Sequence, residues 1–220
     1  MEKVKPDVLN RQRSVIVLIH GFGDEVSDEM QTLTDHFRNS KYNVITPDLY
    51  DPKNPQDYDY KKWLARIDKV LDDVQDKDIY LIGFSMGGVI AAHFATIYPV
   101  KKLVLLAPAY KYISIKGGLT ALKKFFNKGK EPFLKLPRSF YRGFVSIVRN
   151  LKSSAKNLNT PVLIIHGTHD TVIPFQASTN IIKKIPTQNK KLILIENASH
   201  LLLKEEPSKS KVVALVDQFF

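Results

Sequence analysis

Short apolar runs rich in β-branched residues recur along the chain, spaced widely enough for a helix to cross between each pair. The first, Ser14-Val15-Ile16-Val17-Leu18-Ile19, is nearly continuous, as in a strand buried on both faces. Asn43-Val44-Ile45-Thr46, Ile79-Tyr80-Leu81-Ile82, Leu103-Val104-Leu105-Leu106, Val162-Leu163-Ile164-Ile165 and Leu192-Ile193-Leu194-Ile195 follow. The intervening segments carry apolar residues at helical spacing: Met30, Leu33 and Phe37 after a candidate N-cap at Ser27, then Trp63, Ile67, Val70, Leu71 and Val74. Ala177, Ile181 and Ile182 mark another helix, and Val212, Val213, Leu215, Val216 and Phe219 the last. Six strands alternating with crossover helices predict an α/β fold, a mainly parallel sheet of about six strands with helices on both faces.

The rhythm stops once, from about residue 110 to 157. Two amphipathic segments lie there, with Leu119, Leu122 and Phe126 on one and Phe140, Phe144, Ile147 and Leu151 on the other. The expectation is a single domain over residues 1–220 with a small helical cap inserted at 110–157.

In a parallel sheet the carboxyl ends of the strands share one edge, where function collects. Four strand ends stand out: His20-Gly21-Phe22-Gly23, Gly83-Phe84-Ser85-Met86-Gly87-Gly88, His166-Gly167-Thr168-His169-Asp170, and Asn197-Ala198-Ser199-His200. The second places a serine in a tight turn between strand and helix, with Gly83 and Gly87 where side chains would collide and a helix N-terminus behind it to favour an anion. A serine nucleophile needs a base, an acid to orient it and donors for the carbonyl oxygen. Of six histidines, His36 falls on an exposed helix side and His93 within a helix, while His20, His166 and His169 stand beside glycine, where an imidazole braces a loop. His200, in a loop between the last strand and the last helix, is placed to swing over the sheet edge as the base. For the acid, Asp24, Asp48, Asp170 and Glu196 share the edge; Asp170 gives the chain order Ser, Asp, His, and Asp24 and Asp48 are read as shaping loops. The backbone amides of Phe22 and Met86 are the candidate oxyanion donors.

Composition narrows the picture further. No cysteine is present, so a thiol nucleophile, a disulfide framework and a zinc-thiolate site are excluded. The net charge of +11 suggests nucleic acid until it is located: residues 111–156 hold twelve Lys or Arg against one acid, Glu131, and the remainder holds 21 of each. With no recognition motif beside the charge, a nucleic-acid partner is not expected. The interleaved Phe125, Phe126, Phe133, Phe140, Tyr141 and Phe144 suggest instead a second class of function, peripheral docking of a basic cap on an anionic membrane with a vestigial triad. The start lacks the apolar core of a signal peptide and no run reaches the roughly 18 apolar residues of a membrane span, so cytoplasmic is the default expectation.

These four motifs, with Val172 and Pro174 after Asp170, resemble the α/β-hydrolase superfamily, in particular its small serine carboxylesterases and monoacylglycerol-lipase-like members, from about Ser14 onward. The resemblance implies a Ser85, Asp170, His200 triad, an acyl-enzyme intermediate, no metal and no organic cofactor. The expected substrate is a carboxylic ester, with the apolar residues of the cap suggesting a short to medium acyl chain or a monoacylglycerol, and thioester and carbon-carbon hydrolysis are alternatives using the same triad. Serine at position 85 speaks against the dehalogenases and epoxide hydrolases of similar fold, which carry aspartate there. Two departures are visible. Thirteen residues precede the first strand, too few for the usual N-terminal hairpin, so a trimmed sheet is expected, and the Pro47-Asp48-Leu49 loop lacks the common Gly-x-Gly. The 110–157 insertion falls where the family places its cap.

Overall fold

A computed structural model describes residues 13–23, 30–111 and 136–220. The strands are β1 (Ser14–Ile19), β2 (Asn43–Ile45), β3 (Asp78–Phe84), β4 (Val100–Leu106), β5 (Val162–Gly167) and β6 (Lys190–Ile195). They form one sheet in the order β2-β1-β3-β4-β5-β6, and every pairing is parallel. The chain leaves β1 toward β2 and returns to β3 on the other side of β1, so the topological switch point lies between β1 and β3. Open α/β sheets bind ligands at that crevice.

Alternation along the strands divides the core in two. Val15, Val17 and Ile19 of β1 face one side, and Ile16 and Leu18 face the other. On the first side lie α2 (Tyr60–Asp72), α3 (Met86–Phe94), α4 (Arg138–Leu151) and α5 (Gln176–Ile182); on the second lie α1 (Gln31–Arg38) and α6 (Ser208–Phe219). The edge strands β2 and β6 are only part-buried, and the Lys190-Lys191 start of β6 keeps charge on an open edge.

Each helix follows from its sequence. Asp59 caps α2 by accepting from the Lys61 amide at 3.0 Å, and Trp63, Ile67 and Leu71 at four-residue spacing form its buried stripe. Segment Met86–Ala92 is buried on every side because α3 is sandwiched between the sheet and α4, which accounts for its small and apolar residues. In α4, Phe140, Tyr141, Phe144 and Ile147 are buried, so three of the rings that interleave with the basic residues face the core rather than solvent. A 3₁₀ turn, Lys152–Asn157, carries the chain from α4 toward β5. Ser27, Asp24 and the expected first cap helix through Leu119, Leu122 and Phe126 lie outside the described residues, as do Phe125 and Phe133. Among the described residues, no helix is long and apolar enough to cross a membrane.

Candidate active site

The end of β3 passes straight into α3 through Ser85, whose backbone sits at φ 52° and ψ −113°. A non-glycine residue there is strained, and the strain is held by its surroundings. The Ser85 amide donates to the Leu106 carbonyl at 2.8 Å, and the Ser85 carbonyl accepts from Gly88 at 3.1 Å and Ala109 at 3.0 Å. The turn closes only because two positions lack side chains: a Cβ on Gly83 would stand 2.3 Å from the Gly87 carbonyl oxygen, and one on Gly87 would stand 2.2 Å from that of Ile19. The second contact also fixes where α3 begins relative to β1. The His20-Gly21-Phe22 loop therefore leaves its strand beside the serine turn.

The structure brings three predicted residues from three strand ends into one hydrogen-bonded line. His200 Nε2 is 3.1 Å from Ser85 Oγ, and His200 Nδ1 is 2.6 Å from Asp170 Oδ2. A carboxylate only accepts, so Nδ1 carries the proton and donates, leaving Nε2 of the neutral ring to accept from the Ser85 hydroxyl. The Phe84 ring, 5.0 Å from the imidazole, supports its plane. All three residues are buried, and Ser85 is 7% exposed.

Asp170 is held as an anion. Burial alone would raise its carboxyl, yet hydrogen bonds from His166, His200 and the Ile173 amide together hold it well below the usual carboxylate range. Its Oδ1 accepts from the Val172 and Ile173 amides, both at 2.8 Å. Asp170 thus shapes its own loop with one oxygen and faces His200 with the other.

Residues 16–210 match the model of the alpha/beta hydrolase family. The chain belongs to this family. The mitochondrial palmitoyl-protein thioesterase ABHD10 of Mus musculus is 25% identical over 173 residues, 71% of this chain, and the chain spans 56% of that relative's length. A carboxylesterase of Bacillus subtilis (strain 168) is 20% identical over 222 residues, covering 90% of this chain and 89% of the relative. A solved structure of the metagenome-derived lipolytic enzymes LipS and LipT superposes with a TM-score of 0.81 at 20% identity, over 94% of this chain and 93% of that one. That likeness is one of fold.

Within this α/β-hydrolase, the two amides named as oxyanion donors are uncommitted among the described residues: neither Phe22 N–H nor Met86 N–H donates to another described group. Their loops are braced from behind. His20 Nδ1 donates to the Gly21 carbonyl at 2.6 Å and its Nε2 accepts from the Leu49 amide at 2.9 Å, roles that require a neutral ring. Burial pushes His20 down to about 4, opposed in part by the bond to Gly21, so the ring stays neutral. The Tyr50 hydroxyl donates to the Gly23 carbonyl at 2.7 Å and accepts from its amide at 2.8 Å. From above, Tyr141 and Phe144 of α4 pack on the Phe22 ring at centroid distances of 5.1 and 5.3 Å.

The other candidates are elsewhere. Asp48 and Glu196 are exposed and hold no histidine; His36 pairs with Asp217 at 3.2 Å on the surface, and His93 meets Ser154 at 3.0 Å behind α3. His169 is exposed beside Thr168. His166 does more than brace its own loop: fully buried, it donates from Nε2 to Asp170 Oδ2 at 3.0 Å and to the Ile173 carbonyl at 2.9 Å, while its Nδ1 is 2.7 Å from Ser178 Oγ. The i to i+4 spacing of His166 and Asp170 across the end of a strand was the available signal. Among the described residues, no cluster of three or more His, Cys, Asp or Glu is arranged to hold a metal.

Proposed function

We propose that this chain is a serine hydrolase of carboxylic esters, acting through an acyl-enzyme intermediate. The observation that carries this reading is the line from Ser85 Oγ through His200 to Asp170, with bonds of 3.1 and 2.6 Å, at a serine strained to φ 52°. Ser85 Oγ attacks the acyl carbon as His200 Nε2 takes its proton. Asp170 keeps the imidazole in the productive tautomer and stabilises the cation that forms. The amides of Phe22 and Met86 receive the developing oxyanion, and loss of a single such donor costs roughly 3 kcal/mol of transition-state stabilisation. His200 then returns the proton to the leaving alcohol, and water repeats the sequence to release the acid. The acyl group is short to medium in length, lying against the apolar underside that α4 builds over Phe22. Similarity to a carboxylesterase over most of both chains supports the ester bond.

The thioester reading has its own support in the palmitoyl-protein thioesterase relative. A panel of p-nitrophenyl esters and acyl thioesters ranks the two, and an enzyme that turns over thioesters but no ester replaces the first reading with the second. The mechanism itself is tested by labelling with a fluorophosphonate. Wild type is expected to label and Ser85→Ala to lose both label and at least about a thousandfold in turnover; an unlabelled wild type would refute the serine mechanism.

A further inference from the structure

The hydrolysis described above uses none of the twelve cations of residues 111–156, and five of them, Arg138, Arg142, Arg149, Lys152 and Lys156, lie on α4 and the turn that follows it. All five are exposed. At 3.6 residues per turn, Arg138, Arg142 and Arg149 fall within an arc of about 40°, while Phe140, Phe144, Ile147 and Leu151 hold the opposite, buried face. Lys152 keeps right-handed helical backbone at φ −57° and ψ −24°, so the turn prolongs the row to Lys156, a length of about 30 Å. The apolar side of α4 is thus spent on the core, and its outer side carries charge of one sign.

That charge is unbalanced. No Asp or Glu occurs between Glu131 and Asp170, and none of the five cations pairs with an acid among the described residues. Across a groove from Arg142 stand Asp59, which caps α2, and Lys62, so that wall adds no net negative charge. Like charges held in a row repel one another, and their field reaches about 8 Å into solvent at physiological salt. Three kinds of polyanion compete for such a face. An acidic protein would need an apolar centre to its interface, and among the described residues the exposed large hydrophobics are Tyr58, Ile97 and Leu194, of which Tyr58 alone borders the row, beside Arg142. Single-stranded nucleic acid stacks successive bases on exposed rings, but Phe140, Tyr141 and Phe144 are buried. A duplex presents its phosphates in two helical rows, and a straight row of cations crosses each only once. A layer of lipid headgroups asks only for charge on an open face, and Tyr58, 44% exposed, is of the residue type that settles at headgroup level.

We propose that the outer face of α4 and its following turn, Arg138, Arg142, Arg149, Lys152 and Lys156, docks the protein on an anionic membrane surface through lipid headgroups. The docking is electrostatic and peripheral, because the rings of α4 that could insert among acyl chains face the core instead. Through Tyr141 and Phe144 the inner side of the same helix packs on the Phe22 ring at 5.1 and 5.3 Å, so the docked helix lies between the headgroups and the oxyanion loop. Docking needs no turnover and is independent of the bond that Ser85 attacks.

Sedimentation with vesicles of phosphatidylcholine containing about 30% phosphatidylserine tests the face. Wild type is expected to sediment with these vesicles at low salt, to be released as salt rises toward about 0.5 M, and to ignore vesicles of phosphatidylcholine alone. Each cation near an anionic surface contributes about fivefold to partition, so Arg138→Gln/Arg142→Gln/Arg149→Gln should bind about a hundredfold more weakly. All three side chains are exposed, so the melting temperature should stay near that of wild type. Arg38→Gln/Lys191→Gln/Lys211→Gln removes the same charge from exposed positions on α1, β6 and α6 and should bind nearly as wild type does. Equal losses in the two triple variants would reduce the binding to net charge and overturn the face. Absence of binding by wild type, or salt-insensitive binding to phosphatidylcholine alone, overturns the proposal outright, and so does tighter binding to an oligonucleotide or to polyglutamate than to the anionic vesicles. A chain that sediments as expected but takes no fluorophosphonate label keeps its docking face and loses only the hydrolase reading.

Discussion

His166 and His200 converge on the same oxygen of Asp170, at 3.0 and 2.6 Å. Asp170 Oδ2 thus has two imidazole donors, one facing Ser85 and one sealed in the core. Because the Ile173 carbonyl can only accept, the His166 proton resides on Nε2, and its Nδ1 accepts from Ser178. His166 is then a positioning residue that acts through Asp170. His166→Gln keeps an amide donor near the Nε2 position, whereas His166→Asn places it near Nδ1, out of reach of Asp170. A hydrogen bond to a charged group contributes about 1.5–3 kcal/mol, so His166→Asn should lower kcat about 10- to 100-fold with KM little changed, and His166→Gln should recover most of it. Equal losses in both variants would reduce His166 to a packing role.

His20 gives the protein a pH-dependent weakness. Its folded value of about 4 lies below the ordinary 6.5, so between these limits the unfolded chain binds a proton that the folded chain refuses. The stability that depends on a neutral His20 is whole above pH 6.5 and is lost as pH falls toward 4, a change of about 3 kcal/mol by linkage. His93, also lowered by burial, acts in the same direction, so the comparison must be differential. His20→Asn keeps the donor to Gly21 and cannot take up the proton. Urea unfolding from pH 7 to 4.5 should show a shallower loss in His20→Asn than in wild type; parallel curves would remove His20 from the account.

Ser85 stores backbone strain at the turn between β3 and α3. At φ 52° and ψ −113°, glycine is at ease and alanine is not. Ser85→Gly should therefore gain about 1 kcal/mol, which for a domain of this size raises Tm by about 2–4 °C, whereas Ser85→Ala should not. Both variants lose the bond to His200 and the fluorophosphonate label, so their difference isolates the backbone. Identical melting temperatures would show that the turn carries no strain.

The legible parts of this chain are those where chemistry and pattern coincide. The runs Ser14–Ile19 and Val162–Gly167 read as strands because both faces of each are covered, and apolar continuity is then the whole signal. The start of β4 is hidden because Lys101 and Lys102 reach polar partners, Asp78 at 3.3 Å and the Phe219 carbonyl at 2.7 Å. β6 begins earlier than its apolar core because an edge strand tolerates Lys190 and Lys191. Ser85, Asp170 and His200 could be brought together from sequence because each ends or follows a strand, and parallel strands share an edge. The supports of that edge could not. Tyr50 grips Gly23 across 27 residues, and Arg66 joins Asp57 at 2.8 Å and the Leu49 carbonyl at 2.5 Å, contacts set by tertiary packing that no local spacing encodes.

One such support holds His200 itself. The loops after β5 and β6 are laced together by His169 N–H to the Ala198 carbonyl at 2.9 Å, Thr168 N–H to the Ile195 carbonyl at 3.0 Å and Asn197 N–H to Thr168 Oγ1 at 2.9 Å. Gly167 lies under this lacing. A Cβ there would stand 2.2 Å from the Ala198 oxygen and 2.6 Å from that of Ser199, the two residues before His200. Backbone at that distance cannot yield as a flexible side chain would, so Gly167→Ala must lift the loop. Overpacking of this type costs about 1–3 kcal/mol, and the displacement falls on the 2.6 and 3.1 Å bonds of His200. Assayed well below its melting temperature, Gly167→Ala should lose at least about tenfold in kcat through misplacement of the base. Wild-type kcat in a folded Gly167→Ala protein would mean that His200 is positioned by Asp170 and Phe84 alone, and that the laced loops contribute only stability.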